Sequence, residues 1–239
     1  MNGEYIGWMF RRLLSGLATR ISSQCAVCHA WPAEPVCENC IALFAQPITR
    51  CQTCALPVAT GVRFCGACIH APPPLDGCLA AVAYSYPWSN LVTEFKFRQH
   101  PAWARHFALL MRSTPWVEPA LEAADLVIPM PLSPQRVREL GYNQAQLLAN
   151  ALDPTKVDSD VLVRTQHTPP QSTLSRKDRL HSVKNAYAIE PVRSEALRNR
   201  KVVLIDDVMT SGASLYAAAT VLRRAGAAQI TGLVLARTQ

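Results

Sequence analysis

The sequence contains no run of about 18 apolar residues, roughly the length that a membrane-spanning helix needs. Arg11 and Arg12 interrupt the apolar stretch near the start of the chain, so this stretch does not match a secretory signal peptide. Charged residues make up only 17% of the 239 residues and hydrophobic residues 49%, which excludes an intrinsically disordered chain. We therefore expect a cytoplasmic protein with a sizeable folded core and no membrane span.

Acidic residues are also few. Asp and Glu number 17 against 24 Lys and Arg, which gives a formal net charge of +7. A surplus of positive charge favours partners that carry phosphate groups. Charge alone leaves two classes of partner open, namely nucleic acids and phosphorylated small molecules.

Cysteine, by contrast, is abundant in one short segment. Eight of the nine cysteines form four Cys-x-x-Cys pairs, separated by gaps of 8, 10 and 10 residues: Cys25/Cys28, Cys37/Cys40, Cys51/Cys54 and Cys65/Cys68. Each pair presents two thiolates from one tight turn, so two pairs complete a tetrahedral four-cysteine shell around Zn²⁺. In a chain without a secretion signal, disulfide bonds are the weaker alternative. The pattern therefore predicts two zinc sites.

The arrangement and role of these pairs stay open at this point. Sequential and interleaved pairing are both compatible with the spacing, and His29 makes the first pair match the c-type haem attachment signal as well. Zinc held by four thiolates has no open coordination position, so we expect a structural scaffold, with partner docking as the second role. Arg50 and Arg63 are nearly the only basic residues of the segment, which disfavours contact with nucleic acid.

Three consecutive prolines, at 72–74, mark the clearest domain boundary in the chain. We predict three parts: an N-terminal helix in residues 1–22, a double zinc-ribbon module in residues 23–71 and a larger domain in residues 72–239. The ninth cysteine, Cys78, lies beyond this boundary, and we expect it to be a small buried hydrophobic residue.

The larger domain alternates apolar strands with helices. The predicted strands are residues 79–86, 125–131, 160–164, 201–206 and 229–236. The predicted helices are residues 91–98, 103–111, 143–152, a segment that begins at Ser175, and 213–227. This alternation predicts an α/β fold, with a parallel sheet flanked by helices. Ligands bind such sheets at the carboxyl ends of the strands.

The strand predicted at residues 201–206 leads into two adjacent acids. Asp206 and Asp207 are expected to point to opposite faces at the rim of the sheet. The segment 210–214 then supplies hydroxyl groups, a glycine and the start of a helix, where backbone amides can bind a phosphate. Two acids beside a phosphate site suit a ligand whose hydroxyl groups lie a few ångströms from a phosphate, such as a ribose 5-phosphate.

The segment "VVLIDDVMTSGAS" resembles the signature with which type I phosphoribosyltransferases bind phosphoribosyl pyrophosphate (PRPP). The resemblance implies that Asp206 and Asp207 are catalytic and hold the 2- and 3-hydroxyls of the ribose. It implies that the 5-phosphate is bound by Thr210, Ser211, Gly212, Ala213 and Ser214. Pyrophosphate and its Mg²⁺ would lie toward the other strand end, where Arg136 and Arg138 can neutralise its charge.

Four features together resemble the ComF family, whose proteins are associated with DNA uptake in natural competence. They are the cysteine pairs, "EFKFR", "PMPLSPQRVRELGYNQ" and "TPPQSTLSRKDRLHSVKNAY". The resemblance runs from about Cys25 to the C-terminus. Leu140 and Ser182 stand where the family usually has Arg and Asn, so we carry over no ligand contact to these positions. The implied partners are PRPP or a similar phosphorylated sugar, single-stranded DNA and the competence machinery.

Two basic features have competing interpretations. Lys96 and Arg98 of "EFKFR" could contact a phosphate or simply belong to an exposed helix face. The basic segment 164–201, with Tyr187, could line a groove for single-stranded nucleic acid, but its aromatic content is low and a solvated face is the stronger interpretation.

The resemblance predicts a PRPP-binding protein of DNA uptake or utilisation with phosphoribosyltransferase chemistry, whose acceptor the sequence does not name. Relatives that salvage 6-oxopurines carry an acid where this chain has Thr210, which argues against that class of acceptor. The alternative is a non-enzymatic adaptor that binds single-stranded DNA and uses the PRPP pocket as a sensor. An amidotransferase-type enzyme is the weakest hypothesis, because the sequence has no N-terminal nucleophile and no glutaminase domain.

Overall fold

A computed structural model describes residues 23–165 and 186–239. The helix predicted in residues 1–22, the helix predicted from Ser175 and the departure at Ser182 all lie outside the described residues. The chain divides into two compact units, Met1–Gln46 and Pro47–Gln239. The domain boundaries predicted from the sequence, at 22/23 and 71/72, stay predictions.

The described part of the first unit is a small cysteine-rich fold. Helix α1 (Glu38–Phe44) begins directly after Cys37, whose carbonyl accepts a hydrogen bond from the Ile41 amide at 3.0 Å. A short antiparallel bridge joins Ser23 to Ala33. His29 adopts a left-handed conformation with φ of 61°, and its amide closes the turn onto the Cys25 carbonyl at 2.9 Å.

The second unit begins with the same local fold. Helix α2 (Gly66–His70) begins after Cys65, and an antiparallel bridge joins Arg50 to Pro57. Ala55 is left-handed with φ of 56°, and its amide bonds to the Cys51 carbonyl at 2.9 Å. The two cysteine-rich segments are therefore a structural repeat, with one copy in each compact unit.

A four-stranded parallel sheet forms the centre of the second unit. Its strands are β1 (Gly77–Ala83), β2 (Leu126–Pro129), β5 (Lys201–Met209) and β6 (Gln229–Arg237), in the order β1-β6-β5-β2. Val202, Val203, Leu204 and Ile205 of β5 are all buried, as expected for a central strand covered on both faces. The predicted parallel α/β sheet is confirmed.

Helices connect and cover these strands. They are α3 (Trp88–Phe97), α4 (Trp103–Arg112), α5 (Val117–Ala123), α6 (Pro134–Leu140), α7 (Gln144–Leu152) and α8 (Ala213–Arg224), with a 3-10 helix at Pro191–Leu197. Helix α7 packs on β2 and β5, and α4 packs on α7. None of the helices in the described parts of the chain is long and apolar enough to cross a membrane.

One predicted strand forms outside the main sheet. Residues 160–164 contribute β3 (Leu162–Arg164), which pairs antiparallel with β4 (Tyr187–Ile189) in a separate two-stranded sheet. Strand β4 packs against α8. This small sheet therefore lies beside the helix that follows the paired acids.

The second cysteine-rich segment belongs to the hydrophobic core of its unit. Cys51, Cys54 and Ala55 are almost fully buried and lie in the same core cluster as Leu215 of α8 and Cys78 of β1. Cys78 is 4% exposed, which confirms that it is a buried hydrophobic residue. Burial also raises the pKa of its thiol to about 12, so the group is neutral at ordinary pH.

Candidate functional site

The two adjacent acids lie inside the last part of strand β5, which continues to Met209 and does not end before them. Asp206 is partly exposed, and Asp207 is 6% exposed. The Asp207 amide donates to the Asp206 carboxylate at 2.9 Å, and the Val208 amide donates to the Asp207 carboxylate at 2.6 Å. The strand thus fixes both carboxylates at the carboxyl edge of the sheet, where parallel sheets bind ligands.

Lys96 faces this acid pair. Its ammonium lies 2.9 Å from the Asp207 carboxylate. Burial alone would lower the pKa of Lys96, but the charge and hydrogen bond of Asp207, together with the charge of Asp206, outweigh burial and raise that pKa. Arg98, by contrast, forms an exposed pair with Glu94 one helical turn away. In the sequence, Lys96 and Arg98 of "EFKFR" were equal candidates for contact with a phosphate. In the structure, Lys96 contacts the acid pair and Arg98 pairs with Glu94 instead.

Asp206 is held in a different electrostatic state. Its partial burial and the neighbouring charge of Asp207 raise the pKa of Asp206 to about 7, although Lys96 and Arg164 oppose the shift. A carboxyl group with this pKa exchanges its proton near neutral pH. A strongly perturbed pKa of this kind marks Asp206 as a candidate functional residue.

The segment 210–214, which we call the phosphate loop, leads from β5 into α8. Gly212 precedes α8 with φ of 81°, and a Cβ atom there would lie 2.5 Å from the Tyr216 ring and 2.6 Å from the Met209 side chain. Only glycine fits this position. The Ser211 hydroxyl accepts a hydrogen bond from the Ala213 amide at 3.4 Å. The loop therefore brings small polar groups to the N-terminus of a 12-residue helix, which favours an anion.

Strands β3 and β4 supply two residues beside the loop that the sequence analysis did not assign to it. The Tyr187 hydroxyl forms a hydrogen bond with the Ser214 side chain, and the Arg164 guanidinium lies 5.7 Å from the centre of the Tyr187 ring. Tyr187 is 6% exposed, so its ring is not an open platform on which bases could stack. No local pattern marks these residues, because a tertiary contact between β4 and α8 creates the pairing.

Arg136 and Arg138 lie on α6, which follows the carboxyl end of β2, the strand next to β5. The Ser133 hydroxyl caps this helix by accepting from the Arg136 amide at 3.3 Å. The Arg136 guanidinium pairs with Glu139 at 2.6 Å, and Arg138 is exposed. Leu140, which stands where the family pattern has Arg, is 8% exposed and packs into the core.

The eight paired cysteines form two clusters by sequential pairing. In each cluster the four sulfur atoms lie within 4.8 Å of one another, and the clusters are Cys25/Cys28/Cys37/Cys40 and Cys51/Cys54/Cys65/Cys68. Tetrahedral Zn²⁺ with bonds of about 2.3 Å separates its sulfurs by about 3.8 Å. The observed separations are 3.8 Å for Cys25–Cys40 and 3.6 Å for Cys54–Cys65. Both clusters can therefore hold a metal ion, as a zinc-ribbon module requires.

Backbone amides prepare one sulfur of each cluster for metal binding. The Cys37 amide donates to the Cys25 sulfur at 3.4 Å, and the Cys65 amide donates to the Cys51 sulfur at 3.3 Å. Burial would raise the pKa of these two thiols, but the amide donors prevail and lower each pKa to about 6. Thiolate is the form that binds zinc.

Comparison with known proteins agrees with this architecture. Residues 138–238 match the phosphoribosyl transferase domain family. The chain is 31% identical over 215 residues to the DNA utilization protein YhgH of Escherichia coli O6:H1, covering 85% of this chain and 90% of that protein. It is 33% identical over 196 residues to competence protein F of Haemophilus influenzae, covering 78% and 84% of the two chains. It is also 33% identical over 114 residues to competence protein ComFC of Bacillus subtilis, covering 47% of this chain and 45% of that protein. With its cysteine clusters and its phosphoribosyl transferase domain, the chain belongs to the ComF family.

Proposed function

We propose that this protein binds PRPP at the carboxyl edge of the parallel sheet and transfers or senses its phosphoribosyl group. The observation that carries the proposal is the union of three features at one strand end: Asp206 and Asp207, the facing Lys96, and the phosphate loop at the start of α8. A sugar phosphate needs acceptors for its hydroxyl groups and amide donors for its phosphate. Both sets of groups adjoin the end of β5.

The two carboxylates would accept hydrogen bonds from the 2- and 3-hydroxyls of the ribose. Lys96 pairs with the Asp207 carboxylate and holds it in one orientation. Displacement of pyrophosphate from the ribose creates positive charge at the sugar carbon, and the two carboxylates would stabilise that charge. The residues that bind the sugar would in this way also lower the barrier to its transfer.

The phosphate loop would receive the 5-phosphate. Thr210, Ser211 and Ser214 supply hydroxyl groups, and Gly212 and Ala213 supply backbone close to the ligand. Tyr187 supports the loop by its bond to Ser214. Positive charge for the pyrophosphate would come from Arg136 and Arg138 on α6.

Divalent metal fits the donor set at the strand end. Mg²⁺ binds proteins through one or two carboxylates together with the phosphates of a substrate, and Asp206 and Asp207 are the available carboxylates. When bound, the ion would neutralise pyrophosphate charge. We propose that both cysteine clusters bind Zn²⁺, which stabilises the ribbon folds and takes no part in the chemistry.

The names of the relatives suggest the process. Proteins described as acting in DNA utilization and in competence share this chain's sequence over most of its length. We propose that the protein acts in DNA uptake or utilisation in the cytoplasm, with components of the competence machinery as partners. PRPP would then link nucleotide metabolism to the fate of incoming DNA.

Calorimetric titration with PRPP and Mg²⁺ tests the proposed ligand. We expect the wild type to bind and the Asp206→Asn/Asp207→Asn double variant to lose at least 100-fold in affinity, because both hydroxyl acceptors are weakened. A matched control is Asp158→Asn/Asp160→Asn, which removes two acids that pair with Arg193 away from the strand end. Binding that survives in the first double variant, or is absent from folded wild type, would show that the assignment is wrong.

A second candidate function is binding of single-stranded DNA without catalysis. The supporting observation is a set of exposed aromatic and basic side chains that flank α3: Tyr86 precedes the helix, Phe97 is its last residue, both are 59% exposed, and the exposed Arg98 follows Phe97. Stacking rings with nearby positive charge suit single strands. Binding of a fluorescent oligonucleotide that weakens with salt, survives Asp206→Asn/Asp207→Asn and is lost in Tyr86→Ala/Phe97→Ala would favour this function.

A further inference from the structure

Arg237, at the end of β6, is a buried arginine that pairs with no carboxylate in the part of the chain that the structure describes. It is 4% exposed, and its guanidinium donates to the backbone carbonyls of Cys54, Met209, Thr210 and Thr238 and to the Thr238 hydroxyl. A buried charge is costly unless many hydrogen bonds satisfy it. A side chain that collects this many carbonyl groups fixes the positions of the segments that supply them.

These carbonyl groups come from two functionally different segments. The Nε group donates to Cys54, a member of the second cysteine cluster, at 2.9 Å. An Nη group donates to Met209 at 3.1 Å and also to Thr210, the first residue of the phosphate loop. One guanidinium therefore joins the turn that carries a metal ligand to the point where β5 leads into the loop.

The Cys54 turn belongs to the second cysteine cluster. Cys51 and Cys54 flank a tight turn that closes through the left-handed residue Ala55, whose carbonyl is bound by Arg50 at 3.0 Å. A metal ion shared with the other two cysteines of the cluster would hold this turn rigidly. Zn²⁺ held by four thiolates would also carry a net charge of −2, which would offset the neighbouring guanidinium groups of Arg50 and Arg237.

We infer that Arg237 is a positioning residue through which the metal of the second cluster sets the geometry of the phosphate loop. Loss of that metal, or of the guanidinium, loosens the loop and weakens binding of the phosphorylated ligand. Arg237 donates to the turn of the second cluster, so we expect loss of the first cluster to leave the loop unchanged. The part of this inference that concerns affinity rests on the proposed binding of PRPP, whereas the part that concerns loop geometry does not.

The test compares matched pairs of full-length variants. Arg237→Met is paired with Arg223→Met, because Arg223 also donates to backbone carbonyls, those of Ala227 and Ala228, but at the opposite edge of the sheet. Cys51→Ser is paired with Cys25→Ser, the equivalent residue of the first cluster. Each variant is measured for metal content, for hydrogen exchange of residues 208–216 and for affinity toward PRPP with Mg²⁺.

We expect Arg237→Met and Cys51→Ser to exchange the amides of residues 208–216 at least tenfold faster and to bind PRPP at least tenfold more weakly. Arg223→Met and Cys25→Ser should stay within twofold of the wild type on both measurements. Arg237→Lys should recover part of both losses, because an ammonium can still bind some of the carbonyls. Protection of the α7 amides reports whether the domain as a whole remains folded.

The outcomes distinguish the two proposals. Unchanged loop exchange in folded Arg237→Met, or equal effects of Cys51→Ser and Cys25→Ser, would overturn the coupling even if PRPP binds. Failure of the wild type to bind PRPP would overturn the proposed ligand, while the exchange measurement would still decide the coupling. Should Cys51→Ser fail to fold, a chelator is used instead. Loop exchange is then compared before and after metal removal, in the wild type and in Arg237→Met.

Discussion

The Lys96 ammonium lies 2.9 Å from the Asp207 carboxylate, so that α3 reaches across the carboxyl edge of the sheet to the end of β5. The side chains are 25% and 9% exposed, and the ion pair is therefore screened much less than one on the surface. This contact places one compensating positive charge beside two adjacent acids that would otherwise repel each other. It also ties the "EFKFR" segment to the PRPP signature, two features far apart in the sequence.

Replacement of Lys96 by Gln should destabilise the protein by about 2 kcal/mol, because it leaves the Asp207 carboxylate partly buried without its cation. Affinity for PRPP should fall as well, since Asp207 loses its orientation. Arg98→Gln is the control: its partner Glu94 is one helical turn away at the surface, and we expect a change below about 0.5 kcal/mol. Thermal unfolding and PRPP titration check both variants, and equal effects would contradict the special role of Lys96.

The raised pKa of Asp206 predicts how stability depends on pH. Because this pKa is about 7 in the folded protein and about 4 in an unfolded chain, the folded state binds more protons between these values. Asp206 therefore contributes stability at low pH that is lost as pH rises from about 4 to 7. We expect Asp206→Asn to be more stable than the wild type at pH 8, by up to about 2 kcal/mol, with the difference vanishing near pH 4.

Asp125 provides a control of opposite sign. The Lys201 amide donates to its carboxylate at 2.8 Å and lowers the pKa of Asp125. Its contribution is present above the ordinary pKa of Asp and is lost as pH falls, so Asp125→Asn should be less stable than the wild type at neutral pH and converge with it in acid. Denaturant unfolding from about pH 2 to about pH 8 measures both variants, and the same sign for both would refute the interpretation.

Gly212→Ala should distort the phosphate loop. The new methyl group would overlap the Tyr216 ring and the Met209 side chain, and the residue would keep an unfavourable positive φ. We expect a cost of about 2–3 kcal/mol and a loss of PRPP affinity. Gly61→Ala has nearly the same φ of 84° but meets no atom within 4 Å, so it should cost only about 1 kcal/mol and leave affinity unchanged. Calorimetry and ligand titration would show the difference.

Arg136 and Arg138 are predicted to bind the pyrophosphate. The double variant Arg136→Ala/Arg138→Ala should weaken PRPP binding by about tenfold or more, while its affinity for ribose 5-phosphate, which lacks pyrophosphate, should change little. Arg198→Ala/Arg200→Ala is the control, because these residues form exposed ion pairs with Glu195 and Asp125 instead. An unchanged affinity for PRPP in the first double variant would remove both arginines from the site.

The two cysteine clusters predict the metal content of the purified protein. We expect about two Zn²⁺ per chain, one lost in Cys28→Ser and the other in Cys68→Ser, as measured by elemental analysis. Loss of either metal should also lower the thermal stability of the unit that contains it. Protein that folds without metal, with its thiols oxidised to disulfides, would contradict the zinc assignment.

Local patterns were enough to predict much of this fold. The alternation of apolar strands and helices predicted the parallel sheet, because a strand buried on both faces must be apolar throughout, as Val202 to Ile205 are. The spacing of the cysteine pairs predicted two four-sulfur clusters, because each Cys-x-x-Cys pair presents two thiolates from one tight turn. The β3 strand was predicted as an element, but its antiparallel pairing with β4 depends on a partner that no short-range pattern identifies.

By itself, the sequence determined the chemistry available at the strand end: two acids, a run of small residues with Gly212, and the eight paired cysteines. Only the tertiary structure decided which of these groups meet. It paired the cysteines sequentially, brought Lys96 and not Arg98 to Asp207, and placed Arg237 between Cys54 and Thr210. The physical reason is that periodicity and spacing report on neighbours along the chain, whereas ion pairs and buried hydrogen bonds form between segments that only folding brings together.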